Sequence, residues 1–199
     1  MRKKMVFLWL CILLFSVLSL FWYQAWIYSL PTPVPVNYTA IHNGTKIRLP
    51  NNLGIHFNKP VFLHFYNPDC PCSKFNLAQF ASLVKQYGTA VNFIIVPMTS
   101  SLVSETQIQK KTGLFIPVIT DTSLAKMCGV YSTPQVAIIA TDTTLYYRGN
   151  YNKSRYCTDK ETSYAQIAID NVLSAKPNNI NSLFAVTSYG CSLPKCTNQ

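Results

Sequence analysis

Cys70-Pro71-Cys72 stands where an apolar run, Val61-Phe62-Leu63-His64-Phe65-Tyr66, gives way to the turn Asn67-Pro68-Asp69 and then to a helical pattern. A run that is apolar nearly throughout is the signature of a strand covered on both sheet faces. Reaction sites in open α/β sheets gather at the carboxyl ends of such strands. A helix N-terminus also favours a thiolate through its unpaired amides, and the thiolate is the species that performs disulfide exchange. Asp69 opposes this by like charge, and Lys74 supports it. One residue between two cysteines leaves a small ring, so a Cys70–Cys72 disulfide is expected to be strained and relatively oxidising. The competing reading pairs each cysteine elsewhere, or treats it as a small buried hydrophobe.

The elements that must hold this turn follow from periodicity. Phe80, Leu83, Val84 and Tyr87 fall at helical spacing, and Gly88 ends the run. Ala90 to Val96 reads as a second buried strand and Ile116 to Ile119 as a third. Ser104 with Gln107 is a capping box for a short helix ending near Gly113. Thr122 to Cys128 is another short helix, closed by Gly129. Gln135 to Ala140 and Thr144 to Arg148 make two strands around Thr141-Asp142-Thr143. Thr158 with Glu161 predicts the cap of a last helix with Tyr164, Ile167, Ala168 and Val172 on its apolar face. The order β-α-β-α-β-α-β-β-α implies parallel strands with crossover helices and a final hairpin, an α/β three-layer sandwich.

The 199 residues suit one domain with appendages, and a hydrophobic content of 49% excludes a disordered polymer. Much of that content lies at the N-terminus. After Arg2-Lys3-Lys4 an apolar run extends from Met5 to Tyr23, broken only by Ser16 and Ser19. At 1.5 Å per residue it reaches roughly 28 Å, close to the ~30 Å hydrocarbon core. Trp22, Tyr23, Trp26 and Tyr28 would form an interfacial belt, and the basic triplet would keep the N-terminus cytoplasmic. A cleaved signal peptide is the rival. Its apolar region is shorter and ends in small residues, whereas bulky residues stand before Ala25 and Ser29. An uncleaved anchor in the inner (cytoplasmic) membrane is therefore expected, with the rest of the chain exported to the periplasm.

The expected organisation is a cytoplasmic tip and transmembrane anchor over 1–30, a proline-rich linker and extension over 31–57, a domain over 58–176 and a cysteine-containing tail over 177–199. Outside the anchor the charge is +7, from 14 basic and 7 acidic residues, scattered singly apart from Lys110-Lys111. No basic-aromatic motif of a nucleic-acid reader is present, so a solvated surface near anionic headgroups is the expectation. Six cysteines remain there: Cys70, Cys72, Cys128, Cys157, Cys191 and Cys196. An even number in an oxidising compartment permits disulfides without specifying which. Cys128 ends a helix on an apolar face and reads as an inert core thiol. Of the three histidines, His64 lies mid-strand and reads as a core residue, and none neighbours a cysteine in sequence. No cofactor is implied and no metal is expected. A Cys-x-Cys with a histidine near in space is nonetheless the alternative reading, a copper or zinc carrier.

PVFLHFYNPDCPCSKF, followed by YSTPQVAII and LYYRG, resembles the thioredoxin-like superfamily, and most closely its membrane-anchored bacterial redoxin-type members with a CPC turn. The resemblance covers roughly residues 58–175. It implies a thioredoxin-like sandwich and a thiol-disulfide oxidoreductase acting on periplasmic protein thiols and disulfides. Cys70 would be the attacking sulfur and Cys72 the resolving one. Pro134, preceded by Thr133, would be a cis proline against Cys70, and Thr133 and Pro71 would line the substrate groove. A cis X-Pro bond is rare and positional; the plain alternative is a proline that opens a strand. The resemblance also implies a structural disulfide between Cys157 and Cys191, or else a resolving role for one of them toward Cys70. The chain departs from the WCxxC pattern in its CxC spacing, in Asp69 before Cys70 and in a domain without tryptophan. Asn67 stands where a peroxiredoxin-type site has threonine, so peroxidase activity is not expected. A redox-inactive interaction module is the third reading.

Overall fold

A computed structural model of the chain describes residues 2–49, 57–153 and 159–193. It divides into two units, Met1–Pro31 and Thr32–Gln199. The first is essentially one helix, α1 (Arg2–Ser29). It is the one helix among the described residues long and apolar enough to cross a membrane. Trp9, Phe15 and Trp22 stand exposed around it, so its apolar surface has no partner within its own unit. Two of its serines bond locally: Ser16 donates to the Ile12 carbonyl at 2.8 Å and Ser29 to that of Trp26 at 2.7 Å. Such bonds are what an apolar surrounding demands of a hydroxyl.

The second unit is built on β1 (Val61–Tyr66), whose six residues are all buried. Two helices follow, α2 (Pro71–Phe75) and α3 (Leu77–Tyr87), then β2 (Asn92–Pro97) returns parallel to β1 with Val61 opposite Asn92. A parallel return needs such a crossover. Next come α4 (Glu105–Thr112) and α5 (Ser123–Met127). The capping box of α4 forms as expected: Ser104 accepts from the Gln107 amide, and the Gln107 side chain accepts from the Ser104 amide. Gly113, at φ 71°, closes the helix in the left-handed region that glycine enters freely. The chain then enters β3 (Ser132–Thr133), β4 (Gln135–Ile139) and β5 (Leu145–Gly149). It finishes with α6 (Tyr164–Leu173), α7 (Leu183–Val186) and β6 (Cys191–Ser192).

The main sheet has the order β2-β1-β4-β5, with β4 antiparallel to both neighbours. Side chains alternate across its faces. Phe62, Tyr66, Ile95 and Ile138 pack with Phe80 and Leu83 of α3, Ile108 of α4 and Ala168 and Ile169 of α6. Val61, Leu63, Phe65, Ile94 and Ala137 pack with Leu124 and Ala125 of α5 and with Ile47. Phe62, Phe65 and Phe80 are fully buried, and each contributes about 1.5–3 kcal/mol. Helices on both sides of one sheet make the expected three-layer sandwich.

Three local expectations change. The third strand, 116–119, reduces to one parallel bridge between Ile95 and Val118. Pro117 offers its carbonyl to the Ile95 amide at 3.0 Å but has no N–H to extend a ladder. The last helix begins at Tyr164, with Ser163 at its N-cap. Thr158 lies outside the described residues, and 159–162 form a turn in which Asp159 accepts from the Glu161 amide and the Thr162 hydroxyl. The tail, to which the periodicity assigned no element, holds α7 and β6 within its described residues. Asn150 donates to the Phe184 and Thr187 carbonyls, and its own amide donates to Ala185, which fixes α7 against the end of β5.

Candidate functional site

The turn after β1 is shaped by its own polar groups. The Asp69 amide donates to Asn67 Oδ1 at 2.9 Å and the Cys70 amide to the Asn67 carbonyl at 3.2 Å. The Asn67 amide donates to Ser73 Oγ at 3.2 Å, tying the turn to the first turn of α2. Cys70 is the N-cap residue, Pro71 opens the helix, and Lys74 is exposed in its last turn. Because α2 has five residues and stops at Asn76, the stacked peptide dipoles expected to favour a thiolate are few. The Asp69 carboxylate points to other partners. It accepts from Thr99 Oγ1 at 3.2 Å and lies 4.0 Å from Lys111 Nζ, both at the surface.

Cys70 is buried and bonded to Cys191, 121 residues further on, with the two Cα atoms 6.4 Å apart. This replaces the Cys70–Cys72 and Cys157–Cys191 pairings expected from the sequence and joins Cys70 to Cys191, one of the two cysteines that the alternative reading set against it. Cys70 is not joined to Cys72, and Cys191 is not joined to Cys157, which lies outside the described residues together with Cys196. The reason is the course of the tail. β6 pairs antiparallel with β3, with Ser132 opposite Ser192 and Thr133 opposite Cys191, so the ladder delivers Cys191 to the turn after β1. Cys72, half-buried, stays close, and the sulfurs of Cys70, Cys72 and Cys191 all lie within 4.8 Å of one another.

The Thr133–Pro134 peptide bond is cis, as the resemblance implied. Thr133, opposite Cys191 in the β3–β6 ladder, is fully buried. Residues that the sequence did not single out secure the tail. Thr32 donates its amide to the Ser188 carbonyl at 2.8 Å, and its hydroxyl reaches the Gly190 carbonyl at 3.1 Å and Ser132 Oγ at 3.0 Å. Gln135 donates to Ser188 Oγ at 2.7 Å. Thus part of the proline-rich stretch docks on the domain. The Gly-Cys pair at 190–191 was the one available signal.

The other expected residues lie apart from this cluster. Burial holds His64 down to about 3, so it is neutral; it stacks on Phe80 with ring centroids 4.2 Å apart. Its Nδ1 meets the Tyr151 hydroxyl at 2.7 Å. Burial pushes the Cys128 thiol up to about 12, in keeping with an inert core residue. Among the described residues the three sulfurs are the one group of three or more His, Cys, Asp or Glu side chains placed to hold a metal ion, and no histidine joins them.

A family described as "Domain of unknown function (DUF6436)" matches residues 38–194. The chain belongs to it. No curated protein matches this DUF6436 chain. Among solved structures it is similar to a hypothetical protein from Sinorhizobium meliloti 1021, 21% identical, with a TM-score of 0.63 over 78% of this chain and 96% of that one. An uncharacterized conserved protein from Geobacillus kaustophilus is 19% identical, with a TM-score of 0.65 over 84% and 100%. A third, from Chlorobium tepidum and described as a candidate thiol:disulfide interchange protein DsbE, is 12% identical, with a TM-score of 0.52 over 67% and 99%. At these identities the likeness concerns the fold, which is thioredoxin-like.

Proposed function

We propose that this DUF6436 chain is a thiol-disulfide oxidoreductase anchored by α1 in the inner membrane, with residues beyond about 31 in the periplasm. The observation that carries the reading is the set of three sulfurs within 4.8 Å, one of them on Cys191 opposite Thr133. The description of the Chlorobium tepidum fold neighbour agrees with it. Cys70 is the central sulfur. A Cys72 thiolate attacks Cys70 Sγ, the Cys70–Cys72 bond forms, the Cys70–Cys191 bond breaks, and Cys191 leaves as a thiolate that takes up a proton. A substrate dithiol then attacks Cys70 and displaces Cys72, and its second sulfur closes the substrate disulfide and frees Cys70. The substrate loses two electrons and the cysteine pair gains them. With a disulfide substrate the steps run in reverse.

The test is thiol trapping of the purified full chain across a graded glutathione buffer, with mass spectrometry reading each bond. The Cys70–Cys191 bond is expected to open above about −300 mV, outside the range of inert structural disulfides. Cys72→Ser is expected to slow its exchange. A bond that stays closed below about −300 mV and is indifferent to Cys72→Ser overturns the reading.

The same cluster favours a second reading. When reduced, three thiolates suit a soft ion such as Cu(I), or Zn(II). Tight 1:1 binding by the reduced chain that is lost in Cys191→Ser as well as in Cys70→Ser would support it; no binding would remove it.

A further inference from the structure

The segment carrying β6 is held by a two-residue ladder, by the Leu193 amide on the Tyr131 carbonyl at 3.4 Å and by Thr32 on Gly190, and among the described residues its one covalent tie is the disulfide. The ladder β6 forms with β3 is two residues long, against a usual strand of about 5–6. Ser192 is exposed and Cys191 and Leu193 are half-buried, whereas Ser132 and Thr133 beneath them are fully buried. The disulfide to Cys70 is the covalent tie of this segment. Once it opens, the backbone groups of β3 become an edge of the kind that accepts an added strand.

The segment also shows what such a strand must look like. A Cβ at Gly190 would collide with the Thr133 carbonyl oxygen and lie 2.9 Å from its carbon. That obstacle is backbone, so it cannot swing aside as a side chain would. A cysteine opposite Thr133 is thus admitted with glycine before it, and larger residues are turned away.

We propose that the β3 edge is a docking strand for an extended Gly-Cys segment of a partner protein, and that the chain's own Gly190-Cys191-Ser192 covers it until the bond to Cys70 opens. This deepens, and rests on, the exchange reading above. The partner's cysteine lies opposite Thr133, where Cys191 now lies. The Cys70 thiolate attacks that sulfur, the mixed disulfide forms, and the group previously bonded to the partner's cysteine leaves as its thiolate.

The test uses the full chain in detergent with Cys72→Ser and Cys191→Ser, and the synthetic peptide Ser-Tyr-Gly-Cys-Ser-Leu carrying thionitrobenzoate on its cysteine. Release of thionitrobenzoate reports attack. The variant that also carries Cys70→Ser supplies the background, and rates are divided by those with glutathione. The glycine peptide is expected to react about tenfold faster than the same peptide with valine in place of glycine, the least that overpacking against fixed backbone implies. The Cys72→Ser chain with its Cys70–Cys191 disulfide closed is expected to react no faster than background, and a rate above background there overturns the covering role of Gly190-Cys191-Ser192. Equal normalised rates for the two peptides overturn the docking proposal and leave the exchange reading standing. No reaction above background overturns both. Gly190→Val, with every cysteine retained, gives a second readout. At a fixed glutathione ratio its Cys70–Cys191 bond is expected to open about tenfold more readily, and an unchanged ratio overturns the proposal.

Discussion

The Tyr151 hydroxyl and His64 Nδ1 meet at 2.7 Å in the core, between the β1 strand and the segment leading to α6. Burial keeps this imidazole neutral far below its ordinary range, at about 3. The unfolded chain titrates its histidine near 6.5. As pH falls from about 6.5 toward 3, the unfolded state takes up a proton that the folded state refuses, and stability drops by up to about 1.4 kcal/mol per unit. Above about 6.5 the group makes no difference. Urea unfolding of the wild type should therefore lose roughly 2 kcal/mol between pH 6.5 and 5 relative to His64→Phe, which keeps the stack on Phe80. Parallel profiles would refute this account of His64.

Cys191→Ser removes a cross-link of sequence separation 121. Closing a loop of that size restricts the unfolded chain, and its loss is expected to cost about 2–5 kcal/mol. Chemical denaturation under non-reducing conditions measures it. The variant should match reduced wild type. A variant as stable as oxidised wild type would show that the bond adds nothing to the fold.

Cys128 is fully buried, and its thiol is held up to about 12. At pH 8 it should resist iodoacetamide in the folded chain and react fully after unfolding, as followed by mass spectrometry of its peptide. Alkylation in the folded state at the unfolded rate would contradict its place in the core.

The orientation of α1 is open to direct test. A reporter active only outside the cytoplasm, fused after residue 199, should be active with Arg2, Lys3 and Lys4 in place. Changing the three to glutamate should reduce that activity several-fold, because the basic triplet sets orientation. Unchanged activity would mean that other features decide sidedness.

Most of the scaffold was readable because its signals are local. Val61–Tyr66 and Asn92–Pro97 are apolar runs with nowhere to go but a covered sheet, and Ser104 with Gln107 announces a helix start within four residues. The failures are non-local or turn on one atom. Ile116 to Ile119 reads as a strand until the missing Pro117 N–H is counted. Asp159 and Thr162 use their side chains to make a turn where a capping box was expected. The sulfur partner of Cys70 was legible only as an alternative, a resolving role for Cys157 or Cys191 that the resemblance left open. No spacing rule links positions 70 and 191, and the pairing follows from a two-residue ladder that places Cys191 opposite Thr133.

The separation of Cys70 and Cys191 is also a separation in time. Synthesis adds about 5–20 residues per second, so Cys191 leaves the ribosome roughly 6–24 s after Cys70. Both strands of the β4–β5 hairpin, ending at Gly149, are made before it. The sheet strands can therefore be complete while Cys72, two residues away, is already beside Cys70 and Cys191 is still unmade. The Cys70–Cys191 bond becomes possible only when the tail arrives, and any earlier Cys70–Cys72 bond has to be undone for it to form.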